Sequence, residues 1–196
     1  MKRWIVVLGF VMLFALAGWA QPSEQHGDVS FGVGTMLAPT PSSAEALNGA
    51  LTLNGGTFLS VAANYQFWHH AGVGFDFTWR ASEAVWEGIQ PYRPIIYTFN
   101  GIYAPRIGKR AQLELLAGIG VLDTHFYQTY ETCSFVTCTN YTTSNDFTGD
   151  FGVGVRLFAR GGVFIRPEVR EYVFSSNADY LSGHATRAGV SLGYAF

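Results

Sequence analysis

Apolar and polar side chains alternate with a period of two along eight segments of this chain, the spacing of strands whose two faces meet different media. Val29, Phe31, Val33 and Leu37 mark the first segment, Leu59, Val61, Ala63, Tyr65 and Phe67 the second, and Val73, Phe75, Phe77 and Trp79 the third. Ile95, Tyr97, Phe99 and Tyr103 mark the fourth, and Leu113, Leu115, Ala117, Ile119 and Val121 the fifth. Phe151, Val153, Val155 and Leu157 give the sixth, Val163, Ile165, Val169 and Val173 the seventh, and Arg187 to Phe196 the eighth.

The connections alternate as strictly as the faces do. Trp68-His69-His70, Pro105 to Lys109 and Ala159 to Gly162 are short turns, whereas about Ala38 to Gly56, Ala81 to Gln90, Asp123 to Asn145 and Ser175 to Gly183 are long and polar. All long loops therefore emerge at one end. In the last segment Val190, Leu192, Tyr194 and Phe196 alternate with small residues. Such a strand is expected to pair with the first and close a barrel in a lipid bilayer, where an open edge would leave backbone groups without water to bind. The fold class expected is all-β, an eight-stranded antiparallel up-and-down transmembrane β-barrel. Aromatic residues fall at two levels, Tyr65, Phe67, Trp68, Tyr103, Tyr194 and Phe196 toward the short turns and Trp79, Tyr127 and Phe174 toward the long loops, as interface girdles require.

Composition narrows the setting. Lys2 and Arg3, the uncharged run from Trp4 to Ala17 and Gly18-Trp19-Ala20 form the pattern of a signal peptide over residues 1–20, leaving 21–196 as one barrel domain. Ten basic residues then face fourteen acidic ones, a balance that excludes nucleic acid as a partner. Charged residues are 13% of the chain, against roughly 25% in soluble domains. A soluble lipocalin-like barrel is the rival fold; it would have to bury Tyr65 and Trp79 in its lumen.

With these residues in view, the chain resembles the small outer-membrane β-barrel family of the OmpA and OmpX type. The resemblance rests on the eight alternating segments, the loop asymmetry and Val190-x-Leu192-x-Tyr194-x-Phe196, which looks like the signal read by the outer-membrane insertion machinery. It implies a bacterial outer membrane, surrounding lipid and insertion machinery as the partner in assembly; the peptidoglycan-binding domain that follows the barrel in some relatives is not expected here. Pro167, inside the seventh segment, departs from a continuous ladder and predicts a bulge or a lost rung.

Opposite the apolar parity, Asp76, Arg80, Glu114, Asp150, Arg156, Arg166, Glu168, Arg170 and Arg187 point inward. An eight-stranded barrel is just wide enough for side chains to fill, so these charges are expected to pair as a plug. The alternative is the lining of a narrow pore.

Cys133 and Cys138 lie in the third long connection, and a close even pair in an exported chain reads as a disulfide. Tyr127, Tyr130, Phe135 and Tyr141 around it make this loop the candidate contact surface for an extracellular partner. Phe174-Ser175-Ser176-Asn177-Ala178 resembles the Ser-Asn-Ala stretch of lipid A deacylase barrels, but Phe174 stands where that family carries its catalytic His, so the serine lacks a base; His184 is the distant substitute. No metal or cofactor set is expected. The sequence therefore points to a monomeric, non-enzymatic barrel with a filled polar lumen and a structural or surface-interaction role through its loops. A small low-conductance pore is the second reading and a lipid A-modifying enzyme the third.

Overall fold

The computed structural model describes residues 27–40, 51–68, 70–86, 90–133, 138–159, 161–175 and 183–196, so the expected signal peptide lies outside the described residues. The strands are β1 (Gly27–Leu37), β2 (Phe58–Trp68), β3 (Ala71–Arg80), β4 (Ala84–Trp86), β5 (Gln90–Tyr103), β6 (Ala111–Cys133), β7 (Cys138–Phe158), β8 (Val163–Phe174) and β9 (His184–Ala195). Successive strands other than β3 and β4 pair antiparallel, β3 pairs directly with β5, and β1 meets β9 from Asp28↔Ala195 to Leu37↔Thr186. The result is a closed eight-stranded barrel, with β4 added as a short rung on the start of β5.

Alternation decides what each face meets. On β1 the side chains of Val29, Phe31 and Val33 are exposed while Asp28 and Ser30 are buried, and on β3 Val73 and Phe75 are exposed while Asp76 and Thr78 are buried. The same division runs round the whole circumference, with Ile119 at 61% and Leu192 at 58% exposure. An apolar band this extensive has no place in water, and it excludes the soluble barrel with an apolar lumen. Cross-strand aromatic pairs reinforce the band. Phe75 lies opposite Phe99 and Phe77 opposite Tyr97, with ring centroids 5.0 and 5.1 Å apart, and such pairs add roughly 0.5–1.5 kcal/mol beyond burial.

Three features differ from the sequence reading. The third long connection is mostly not a loop: β6 and β7 continue as a hairpin from Asp123↔Asn145 to Cys133↔Cys138, with one irregularity between Tyr127 and Thr132. Thr, Tyr and Phe in that stretch suit a pleated ladder, and polarity alone hid it. The second long connection likewise contains β4, so β5 begins at Gln90 rather than near Ile95. Phe174, placed with the outer girdle from sequence, is 6% exposed and stacks on Tyr172 inside the barrel, because its parity is opposite to that of Val173.

Pro167 costs rungs without adding a residue. Paired positions between β7 and β8 run to Gly154↔Glu168 and resume unshifted at Leu157↔Ile165. On its other side Pro167 keeps its place opposite Val190.

Phe75 lies mid-strand on the lipid face. Phe75→Arg should therefore lower the stability of the lipid-refolded barrel by about 2–4 kcal/mol, read from the urea dependence of folding in vesicles. An unchanged unfolding curve would put this face elsewhere than in the hydrocarbon.

Candidate functional site

Side chains of the inward parity point into the lumen, and its centre is ionic. Arg156 on β7, Arg166 and Arg170 on β8 and Arg187 on β9 are each at most 2% exposed. Adjacent inward positions on neighbouring strands bring them together with acids supplied by β1, β3, β6, β7 and β8. Arg156 Nη1 binds Asp28 Oδ2 at 2.6 Å, and Arg156 also meets Glu114. The other Glu114 oxygen accepts from Arg166 Nη1 at 2.7 Å, and Arg166 Nε reaches Glu168 Oε2 at 3.1 Å. Glu168 is the hinge of the set. It contacts Arg170 Nη2 at 3.4 Å and Arg187 Nη1 at 3.4 Å as well.

Asp76 completes the upper half, 3.2 Å from Arg170 Nη2 and 3.9 Å from Arg187 Nη1. Asp150 is held more loosely, 3.8 Å from Arg170 Nη1. Asn100 helps it: with its amide nitrogen facing the carboxylate it donates to Asp150 Oδ1 at 2.9 Å. Hydroxyls take some of the other donors. Arg166 Nε donates to Ser191 Oγ at 3.1 Å, and Arg187 donates to Ser60 and, at 3.2 Å, to Thr78 Oγ1. Burying four guanidiniums costs several kcal/mol each before pairing, so the acids and hydroxyls are conditions of the fold rather than extra stabilisation.

Eight of the nine inward charges read from the sequence lie in this network. Arg80 does not; its guanidinium sits 6.0 Å over the Phe58 ring near the long-loop end. Asp28 takes part although the sequence reading began the first segment at Val29; its parity with Ser30 and Gly32, opposite to Val29 and Phe31, was the available signal.

The lumen is not polar throughout. Above the charges Met36, Phe58, Ile96, Leu122 and Phe174 form a buried apolar layer together with Leu51 and Leu53 from the first long connection. That connection is tied in place, since the Tyr92 hydroxyl donates to Thr52 O at 2.6 Å and Gly55 N donates to Met36 O at 2.7 Å. Below the charges the buried Phe164 ring lies 5.3 Å from the Arg156 guanidinium carbon, and Ile102, Ala104 and Leu116 form a second small apolar cluster. The expectation of an entirely polar lumen is thus corrected. Doubled apolar positions such as Ile95-Ile96 and Val121-Leu122 were the sequence sign.

At the far end the hairpin of β6 and β7 carries the disulfide Cys133–Cys138 at its tip, five residues apart in sequence. Glu131 lies beside the two sulfurs, but sulfurs bonded to each other offer no thiolates to a metal. Lower down, His125 stacks on Tyr141 at 4.4 Å, Tyr127 meets Tyr141 edge-on and Arg93 lies over Tyr127 at 5.7 Å. Phe135 lies outside the described residues. So do Ser176, Asn177 and Ala178, while the imidazole of His184 is bonded to Glu171 Oε1 at 3.0 Å. On β9, Val190, Leu192 and the following Phe196 are exposed on the lipid face with Tyr194 partly covered, and Phe196 exchanges backbone hydrogen bonds with Gly27 at 2.8 and 3.1 Å.

This architecture recurs in solved structures of low sequence identity. The N-terminal barrel domain of OprF from Pseudomonas aeruginosa matches 89% of this chain and all of its own at 10% identity, with a TM-score of 0.56. Neisserial surface protein A matches 90% of this chain and all of its own at 8% identity, with a TM-score of 0.62. Ail, the attachment invasion locus protein of Yersinia pestis, matches 89% of this chain and all of its own at 15% identity, with a TM-score of 0.55. No curated protein matches the sequence. Residues 6–196 match the family described as the outer membrane protein beta-barrel domain, and the chain therefore belongs to that family, a β-barrel of the bacterial outer membrane whose wall faces lipid.

Proposed function

We propose that this protein is a non-enzymatic outer-membrane barrel with a closed lumen, whose role is structural or one of surface interaction through the hairpin that carries Cys133 and Cys138. The observation that carries the reading is the layered interior: an ionic centre of four guanidiniums and five carboxylates lies beneath an apolar layer into which Leu51 and Leu53 of the first long connection are folded. Such a stack leaves side chains where a path would run. The hairpin, by contrast, extends past the last β5–β6 pair at Tyr92↔Phe126, so its far part is presented beyond the barrel rim. Ail shows that a barrel of this size can serve as an attachment invasion locus protein; with this chain it shares the fold alone.

The small pore is the second reading, and one observation favours it. The Tyr172 hydroxyl, Arg170 Nε and Arg187 Nε are buried without a hydrogen-bond partner among the described residues. Water serving them would begin a polar path. Against an enzyme stands Phe174, buried at the position where the lipid A deacylase barrels carry their catalytic His. The assembly role of Val190, Leu192, Tyr194 and Phe196 belongs to the same proposal: deleting Phe196 should leave export intact and reduce the heat-modifiable, folded protein in the outer membrane.

Glu168 separates plug from pore. Glu168→Gln leaves Arg166, Arg170 and Arg187 short of one shared partner, and in a dry plug this should cost roughly 3–5 kcal/mol without opening a conductance in planar bilayers. Unchanged stability with altered cation preference would reject the plug. Asp150→Asn, which removes a looser contact, should cost less in the same assay.

The disulfide is expected to act on the hairpin alone. Its ring closes over a sequence separation of five, too short a loop for a large effect on chain entropy. Replacing Cys133 and Cys138 together by Ser should leave the urea midpoint of the barrel unchanged while speeding proteolysis of the hairpin. A lower midpoint would show that the bridge supports the barrel itself.

A further inference from the structure

The connections at the two ends of the barrel differ in charge. In sequence, Glu45, Glu83, Glu87, Glu131 and Asp179 fall within the long connections, while the three short connections contain Arg106, Lys109, Arg110 and Arg160 and no acid. The second short turn is built to hold its charges outward. Ile107 N and Gly108 N both donate to Ala111 O, at 3.0 and 3.1 Å, Leu113 N donates to Pro105 O at 2.9 Å, and Phe158 N donates to Arg110 O at 2.8 Å. On this hydrogen-bonded turn Arg106, Lys109 and Arg110 are exposed, and none is in an ion pair among the described residues. Between them Ile107 is 60% exposed.

The neighbouring turn supplies the apolar rim. The register shift of β2 between Gln66 and Trp68 breaks alternation, so that Phe67 and Trp68, which a regular strand would send to opposite faces, are exposed at 62% and 69%. Ala104 N donates to His70 O at 2.6 Å and the His70 ring meets Tyr103 edge-on at 6.3 Å, which straps the two turns together. Tyr103 and Trp68 mark the interface level. Arg106 is three residues beyond Tyr103, at most ~10 Å along an extended chain, and long basic side chains can lean back from there to the headgroups.

We propose that this corner, formed by Trp68, Tyr103, Arg106, Ile107, Lys109 and Arg110, is a binding site for the phosphate headgroups of anionic phospholipid in the periplasmic leaflet. The orientation follows from the short turns, which face the periplasm in barrels of this family. The chemistry follows from the arrangement. Three unpaired cations flank one exposed apolar side chain directly beside an aromatic rim, which suits a ligand with a charged head and a greasy tail. A soluble anion would have no use for Ile107 or Trp68. An anionic polymer would use the cations and leave the rim idle.

The test uses the full mature chain refolded into bilayers of mixed phosphatidylglycerol and phosphatidylcholine, with the lipids that remain bound after mild detergent extraction identified by native mass spectrometry. The native chain should retain phosphatidylglycerol over phosphatidylcholine by roughly tenfold, given about 1 kcal/mol per basic residue near an anionic surface and partial screening. Changing Arg106→Gln, Lys109→Gln and Arg110→Gln together should bring the ratio close to unity in protein that is still heat-modifiable. High salt should do the same to the native chain, since the screening length falls to ~3 Å at 1 M, and this arm needs no variant to fold. Brominated phosphatidylglycerol should quench the fluorescence lost in Trp68→Phe more than brominated phosphatidylcholine does. Equal retention of both lipids by the native chain, or a preference that survives both the triple change and high salt, would overturn the proposal. Equal retention with saturable binding of dextran sulfate would overturn it in favour of a polymer.

Discussion

Hydrocarbon offers no hydrogen bonds, and the rest of this structure follows from that. Every backbone N–H and C=O at membrane depth must find its partner in the chain, so the first strand has to meet the last. Here β1 and β9 meet over ten residue pairs, from Asp28 to Leu37. Once the ladder closes, each strand has one face in lipid and one in a narrow interior. Alternation ceases to be a preference and becomes a sorting rule, because a register slip of one residue would put Arg166 or Glu168 into lipid.

Closure also fixes the interior problem. Eight strands leave a lumen that side chains can fill, and this chain lines it with three kinds of material. An apolar floor lies at the short-turn end, an ionic middle is drawn from six strands, and an apolar lid includes part of the first long connection. The ionic middle is the demanding part. Buried ion pairs seldom stabilise relative to apolar packing, but each one penalises misplacement of its partner. Glu168, with three guanidiniums on it, penalises misplacement of β8 and β9 together.

Much of the fold was legible in the sequence, because a period of two is a physical consequence of strands between unlike media. Strand order, closure, the lipid face and most inward charges followed from Val73, Phe75 and their equivalents. What escaped lay where the contrast between media fades. Past the membrane both faces of a strand meet water, so Thr139 to Asn145 read as loop and proved to be ladder. Near the long-loop mouth the interior is apolar too, so Ile96 and Leu122 beside Ile95 and Val121 gave no alternation to read. Asp28 was lost at a strand boundary, and Arg80 was counted in because parity records a face and not a depth. The pairing of particular arginines with particular acids depends on strand stagger, which no local pattern contains.

Pro167 gives the barrel wall a direction of weakness. On one side of it β8 is laddered to β9 without interruption, and on the other the paired positions with β7 are broken between Gly154 and Leu157. The residues facing each other across that break are Arg156 and Arg166, and both reach Glu114 on β6. Side chains thus bridge the seam that backbone leaves open. At that break the wall is held through the lumen, so β7 and β8 depend there on a carboxylate of a third strand, Glu114 of β6, rather than on their own backbone.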